Sequence, residues 1–177
     1  EDAIELALQA PDPALATRMI VEHAPALLEQ GRRQTLIDWC ARLPEDARTP
    51  WLCYWLGVAH MADDADAERR LEQAWQGFSR TEDARGQCLA AARAVLSKTD
   101  SWRTHAGLPA WTQRAIALAA RPLPPLADDE ALLVLAGVVR AFDYAEHYRS
   151  AGDDLQRITT RLLDRLARPG EHVPPAL

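Results

Sequence analysis

Apolar residues recur every three to four positions along almost the whole chain, and nowhere do they settle into sustained alternation. A spacing near 3.6 collects such residues on one stripe of a helix, whereas a half-buried strand needs a period of two. The pattern therefore commits the chain to helices. Composition agrees with it. Ala and Leu dominate, Ala, Leu, Arg, Glu and Gln are all good helix formers, and Gly occurs only 8 times in 177 residues. The β-branched and aromatic residues that favour strands are comparatively few.

Start and stop signals divide the pattern into segments. After a short first helix over 2–10, Asp12-Pro13 supplies an N-cap followed by proline at the first helical position. The helix it opens carries Leu15, Met19, Ile20, Leu27 and Leu28, contains Pro25 and ends at Gly31. A third helix over 33–43 has Leu36, Trp39, Cys40 and Leu43 on one stripe and stops at Pro44. Thr49-Pro50 repeats the cap-then-proline signal before a very apolar helix over 51–62. Its partner over 66–79 places Ala67, Leu71, Ala74, Trp75 and Phe78 inward. Thr81 is expected to cap a helix that runs to 97 through Cys88, Leu89, Ala92 and Leu96. A looser stretch over 99–107 holds Trp102, and a helix over 108–120 follows with Trp111, Ala115 and Leu118. Three prolines in 121–127 make a loop. Asp128, Asp129 and Glu130 then favour the positive end of a helix that runs through Leu133, Ala136 and Val139 to 148. After a turn at Gly152-Asp153, a last helix over 154–167 has Leu155, Ile158, Leu162 and Leu166 at helical spacing.

Helices joined by short polar turns pack as antiparallel neighbours. The expected architecture is all-α, with about nine helices stacked as antiparallel pairs in a right-handed, tetratricopeptide-like superhelix. Small residues mark the crossings at Leu56-Gly57, at Ala90-Ala91 and at Ala136-Gly137. Positions 57, 90 and 137 lie 33 and then 47 residues apart, so no strict repeat is kept. Residues 1–168 form a single helical-repeat domain in this reading, with leading helices over 1–44 and repeat-like pairs over 50–168; 169–177 is a tail or linker.

Charge and cysteine content narrow the function. The net charge is −6, and the short clusters Arg32-Arg33 and Arg69-Arg70 do not amount to the basic stripe that a nucleic-acid surface needs. Cys40, Cys53 and Cys88 are odd in number, contain no CxxC pair and each fall in an apolar helical pattern. That is the usage of buried free thiols in a reducing compartment. With no signal peptide and no long apolar run, the expected location is the cytoplasm, away from membranes. The sequence also starts without Met inside a helical pattern, which suggests a piece of a longer protein.

The first 44 residues follow a recognisable order: Ala3-Ile4, Ala7-Leu8, Ala10, Asp12 and Ala16, then Leu27-Leu28, Gly31, Leu36, Trp39 and Leu43-Pro44. This order resembles a segment of the MalT-like, LuxR-type signal-transduction ATPases, bacterial transcriptional regulators. Pro50, Trp51, Tyr54-Trp55-Leu56-Gly57, Leu71, Ala74, Phe78 and Gly86 resemble the first helix pair of the same regulators' repeat domain. Around Gln9 the chain departs from the family, whose first helix more often has a His-Ala pair. The resemblance covers about two thirds of the chain and consists of helix-packing residues. It implies a nucleotide-binding module before this segment and an output module after it, with the segment itself acting as sensor and assembly arm. No GxxxxGK[ST] motif occurs, so ATP binding is not carried onto these residues.

Catalytic and metal chemistry find little support. His23, His60, His105, His147 and His172 are scattered, without HExxH or an i,i+4 pair. Asp63, Asp64, Asp66 and Glu68 crowd one turn but lack the glycine of a calcium loop, and read as a solvated turn. Asp143, Glu146 and His147 are the one acid–base grouping, and no GxSxG elbow accompanies them. Neither enzyme activity nor a cofactor or metal is expected. The aromatic residues are more informative. Trp51 and Trp55, with Tyr54 between them, and Tyr144 and Tyr148, with Arg140 one turn earlier, lie where the first helix of each pair would line a concave surface. Packing between layers is the competing role for the tryptophans, whereas the tyrosine hydroxyls need polar partners or water. The candidate groove is therefore Trp51, Tyr54, Trp55, Arg140, Tyr144 and Tyr148. Its expected partners are a small-molecule or protein effector and the flanking domains of the same chain, with self-association also open and no direct nucleic acid.

Overall fold

The computed structural model describes residues 2–10, 12–61, 64–100, 107–146, 160 and 164. Among these residues the chain is all-helical, with eight α-helices and no strand. Asp63, Trp102, the expected turn at Gly152-Asp153, Leu155, Ile158, Leu162 and Leu166 of the expected last helix, and the 169–177 tail lie outside the described residues. Contacts divide the chain into two compact units, Glu1–Thr81 and Glu82–Ala176.

The first unit contains α1 (Asp2–Gln9), α2 (Pro13–Glu29), α3 (Arg33–Ala41), a 3-10 turn (Glu45–Ala47), α4 (Pro50–Ala59) and α5 (Asp64–Arg80). Both cap-then-proline signals operate as expected. The Asp12 carboxylate accepts from the Ala14 and Leu15 amides at 3.0 and 3.2 Å. The Thr49 hydroxyl accepts from the Leu52 amide at 3.3 Å. At the far end of α2, Gly31 takes φ +72°. The Gly31 and Arg32 amides bond back to the Leu28 and Leu27 carbonyls at 3.0 and 2.8 Å, the two-bond closure that glycine's left-handed conformation allows. Pro25 is accommodated inside α2, which continues past it.

Ile4, Ile20, Leu36, Trp39, Leu52 and Leu56 form the centre of a core drawn from α1 to α4. Glu5 ties two of these helices together at the surface. Its carboxylate accepts from Trp39 Nε1 at 2.7 Å and from Arg42 at 2.6 Å. The Thr17 hydroxyl donates to the Ala47 carbonyl at 3.1 Å and so holds the 3-10 turn against α2. Helices α4 and α5 pack along small residues. A Cβ on Gly57 would fall 2.8 Å from Leu71 Cγ, and one on Gly77 would fall 2.6 Å from Pro50 Cγ. Bare backbone at these positions lets the two helices approach closely, with Ala67, Leu71, Ala74 and Phe78 buried along α5.

The second unit contains α6 (Ala84–Asp100), α7 (Leu108–Ala119) and α8 (Asp128–Glu146). Helix α6 packs against both of the others. It buries Cys88, Leu89, Ala90, Ala91, Ala92, Ala94 and Val95, more of its circumference than one stripe. Its cap differs from expectation. The Asp83 carboxylate, not Thr81, accepts the Gly86 amide at 2.8 Å. The Thr81 hydroxyl instead donates to the Gly77 carbonyl at 3.1 Å and closes α5. Glu82 between them adopts φ +55°, a left-handed backbone just before the new helix. Helix α6 also continues to Asp100, so the looser stretch expected from 99 starts later.

On α8 the buried residues are Ala131, Val134, Val138, Ala141 and Phe142. Ala136 and Val139, which the spacing placed on the same stripe as Leu133, are exposed, and Leu133 is half-buried. The small-residue crossing expected at 136–137 is nevertheless present, because Gly137 packs onto Ala92 of α6. At the start of α8, Glu130 accepts from the Ala127 amide at 3.1 Å. It also receives Arg85 through both Nε and Nη2, the shortest contact being 2.6 Å.

Candidate functional site

The expected groove residues fall in both units. In the first, Trp51, Tyr54 and Trp55 lie on one turn of α4 and form a chain of edge-to-face rings. Trp51 meets Tyr54 at 5.7 Å and Phe78 of α5 at 4.9 Å, and Tyr54 meets Trp55 at 4.9 Å. Such contacts add packing energy beyond the area they bury. Tyr54 is interior, with 1% of its surface exposed, while Trp51 and Trp55 are half-buried. Trp55 packs against the core of the leading helices. In the second unit, Arg140 is exposed and Tyr144 half-buried on α8. Tyr148 lies outside the described residues. A further aromatic contact joins Arg114 to Trp111 on α7, with the guanidinium carbon 4.4 Å from the ring centroid.

The other candidates are dispersed. The His23 ring makes a 2.8 Å contact with the Met19 carbonyl, and His60 ends α4. Asp66 pairs with Arg69 one turn on. Asp143 is exposed, and the Glu146 side chain, His105, His147 and His172 lie outside the described side chains. Among the described residues, no three His, Cys, Asp or Glu side chains converge on a point that could hold a metal ion. No helix among them is long and apolar enough to cross a membrane.

A concave feature that the sequence did not announce lies in the first unit. Glu45 and Arg48 from the 3-10 turn region, Pro50 and Cys53 from α4, and Gln73, Gly77 and Arg80 from α5 enclose a cleft of about 240 Å³. Thr49, by capping α4, fixes where Arg48 leaves the backbone. Gly77 and Pro50, in close approach, bring Arg80 to the same cleft. The Arg48 side chain is 21% exposed and reaches Glu45 through Nη1 at 3.3 Å. Beside it, Arg70 Nη1 donates to Gln73 Oε1 at 3.2 Å. The Nε atoms of Arg48 and Arg70 are both buried and make no hydrogen bond among the described residues.

The thiols report the local field. Burial pushes the Cys53 thiol above its ordinary range, and the positive charges of Arg70 and Arg48 partly oppose that rise. Cys40 is pushed up to about 12 by burial, again opposed by Arg48 and Arg70. Cys88, in the other unit, is pushed up to about 11, with burial the main cause and Asp83 adding to it. All three are free and buried.

No family model, curated protein or solved structure matches the chain.

Proposed function

We propose that this chain is a non-catalytic sensor and assembly module of a bacterial transcriptional regulator of the MalT-like type. It binds an effector or partner segment on a concave helical surface and passes that event to attached domains. The observation that carries this reading is the construction of its helix pairs. In each unit a helix approaches its neighbour through bare backbone, Gly57 on Leu71 and Gly137 on Ala92, at two of the three small-residue positions that the resemblance to repeat proteins rests on. Layers built this way act as rigid shapes that carry a binding face. Work in a reducing cytoplasm fits three free, buried thiols.

A metabolite screen by thermal shift tests the reading. A ligand that binds only the folded chain raises its melting temperature by mass action. Hits are expected to weaken in Arg140→Ala and Tyr144→Phe, and to change the assembly state of the full-length regulator in gel filtration with light scattering. An encoded P-loop upstream of this segment would support the assignment, and a full-length protein ending near these boundaries would count against it. A second reading, a free-standing helical-repeat adaptor for a peptide or protein, is favoured by the same rigid helix pairs. Capture of one stable protein partner, with no response to any metabolite, would select it.

A further inference from the structure

The cleft between α4 and α5 concentrates positive charge in a chain whose net charge is −6. Arg48 and Arg80 line it, Arg70 stands behind Gln73, and Glu45 is the one carboxylate on the lining. Local structure accounts for only part of this. Arg80 in the last turn of α5 suits that helix's negative end. Arg48 has a partner in Glu45, but the contact is a single one at 3.3 Å to a carboxylate 89% exposed, where water screens it. It leaves Arg48 Nε buried and unbonded among the described residues, and Arg70 Nε is in the same condition.

We propose that this cleft binds a small oxyanion-bearing metabolite, its carboxylate or phosphate group held by Arg48 and Arg80. The guanidinium fork matches two oxygens of either group and forms charge-assisted hydrogen bonds shorter and stronger than neutral ones. Gln73 accepts from Arg70 with its oxygen, which leaves its NH2 end as a neutral donor on the lining. Pro50 and the bare backbone of Gly77 close the apolar side. A volume of about 240 Å³ falls below the range of drug-sized pockets and suits a ligand of few heavy atoms. This site is separate from Arg140 and Tyr144, and stands or falls without the regulator assignment.

The test titrates the whole chain with inorganic phosphate and, separately, with succinate, at constant ionic strength maintained with sodium chloride. The arginine Nε–Hε resonances and the melting temperature are followed. The expected result is a saturable shift of the Arg48 and Arg80 signals and a rise in melting temperature. Arg80→Gln should weaken binding by about tenfold or more, the loss expected when a charge-assisted pair is removed. Arg80 is exposed, so this variant keeps the fold even if Arg48→Gln does not. Arg18→Gln, the same charge change on an exposed face of α2, should bind like the parent. A response to phosphate alone marks a phosphate ester as ligand, and a response to succinate alone marks a carboxylic acid; either upholds the site. No saturable shift with either probe, or a shift that survives Arg80→Gln unchanged, overturns it.

Discussion

Gly137 of α8 rests on the backbone of α6 at Ala92: a Cβ at position 137 would lie 2.6 Å from the Ala92 Cα and 3.1 Å from its carbonyl oxygen. Backbone cannot swing aside as a side-chain tip can. Gly137→Ala is therefore expected to destabilise the chain by about 1–3 kcal/mol through overpacking, despite the roughly 1 kcal/mol by which alanine favours a helix. Gly57 meets the Leu71 side chain first, at 2.8 Å, with the Leu71 backbone nitrogen farther off at 3.3 Å, and Gly57→Ala should cost less. Urea denaturation of the two variants side by side checks the order, and equal or reversed costs would show that the crossing at 137 is not tight.

Glu130 joins a helix start to a neighbouring helix. It closes the first turn of α8 through the Ala127 amide and grips Arg85, with side chains 15% and 30% exposed. Glu130→Ala removes both and leaves Arg85 part-buried without this partner. The expected loss is about 1–3 kcal/mol, discounted from the fully buried case because water still reaches the pair. Glu130→Gln keeps the amide contact and should lose less. Chemical denaturation of both variants measures the difference.

Glu5 gives the leading helices a pH dependence. Its hydrogen bonds from Arg42 and then Trp39 hold its carboxyl below the ordinary range. A carboxylate whose folded-state value is depressed contributes stability above its unfolded value and loses it as the pH falls through the folded one. The melting temperature of Glu5→Gln should therefore lie below the parent's at neutral pH, and the gap should narrow in acid as the parent's carboxylate protonates. A gap independent of pH would rule out the charged interaction as its source.

The cysteines predict a reactivity pattern. With burial holding Cys40 up to about 12 and Cys88 up to about 11, the native chain presents almost no thiolate at pH 8. Ellman's reagent should titrate all three thiols quickly in 6 M guanidinium (a roughly standard unfolding concentration) and slowly without it. Because these folded-state values are raised, stability is undiminished at neutral pH and falls as the pH rises past the ordinary thiol range, where the unfolded chain ionises first. Fast labelling of native protein at pH 8 would contradict the burial.

What the sequence made legible divides along physical lines. Helix starts that depend on two adjacent residues were readable, as Asp12-Pro13 and Thr49-Pro50 show, because capping and proline geometry are local. The start of α6 was not, since Thr81 and Asp83 are both capping residues and the choice falls to the backbone of Glu82 between them. The buried face of α8 was obscured for another reason. From Ala131 to Phe142 nearly every residue is apolar, so periodicity offers no single phase, and the fit of Gly137 against Ala92 selects one. On α4 the spacing of the aromatic residues could not separate interior Tyr54 from half-buried Trp51 and Trp55. The arginine cleft was missed because Arg48 and Arg80 meet only once α4 and α5 have paired. Its nearest signal was Gly77, a glycine inside a helical pattern with a packing reason.

Glu82 carries a last consequence. It holds a left-handed backbone that a side chain disfavours by about 1–2 kcal/mol, and it does so at the first residue after the boundary of the leading unit. The entry into α6 thus rests on one disfavoured torsion, at the exposed first residue of the second unit. Glycine there would remove the steric penalty while adding freedom to the unfolded chain. One exposed substitution, Glu82→Gly, therefore isolates the cost of that torsion without disturbing a core.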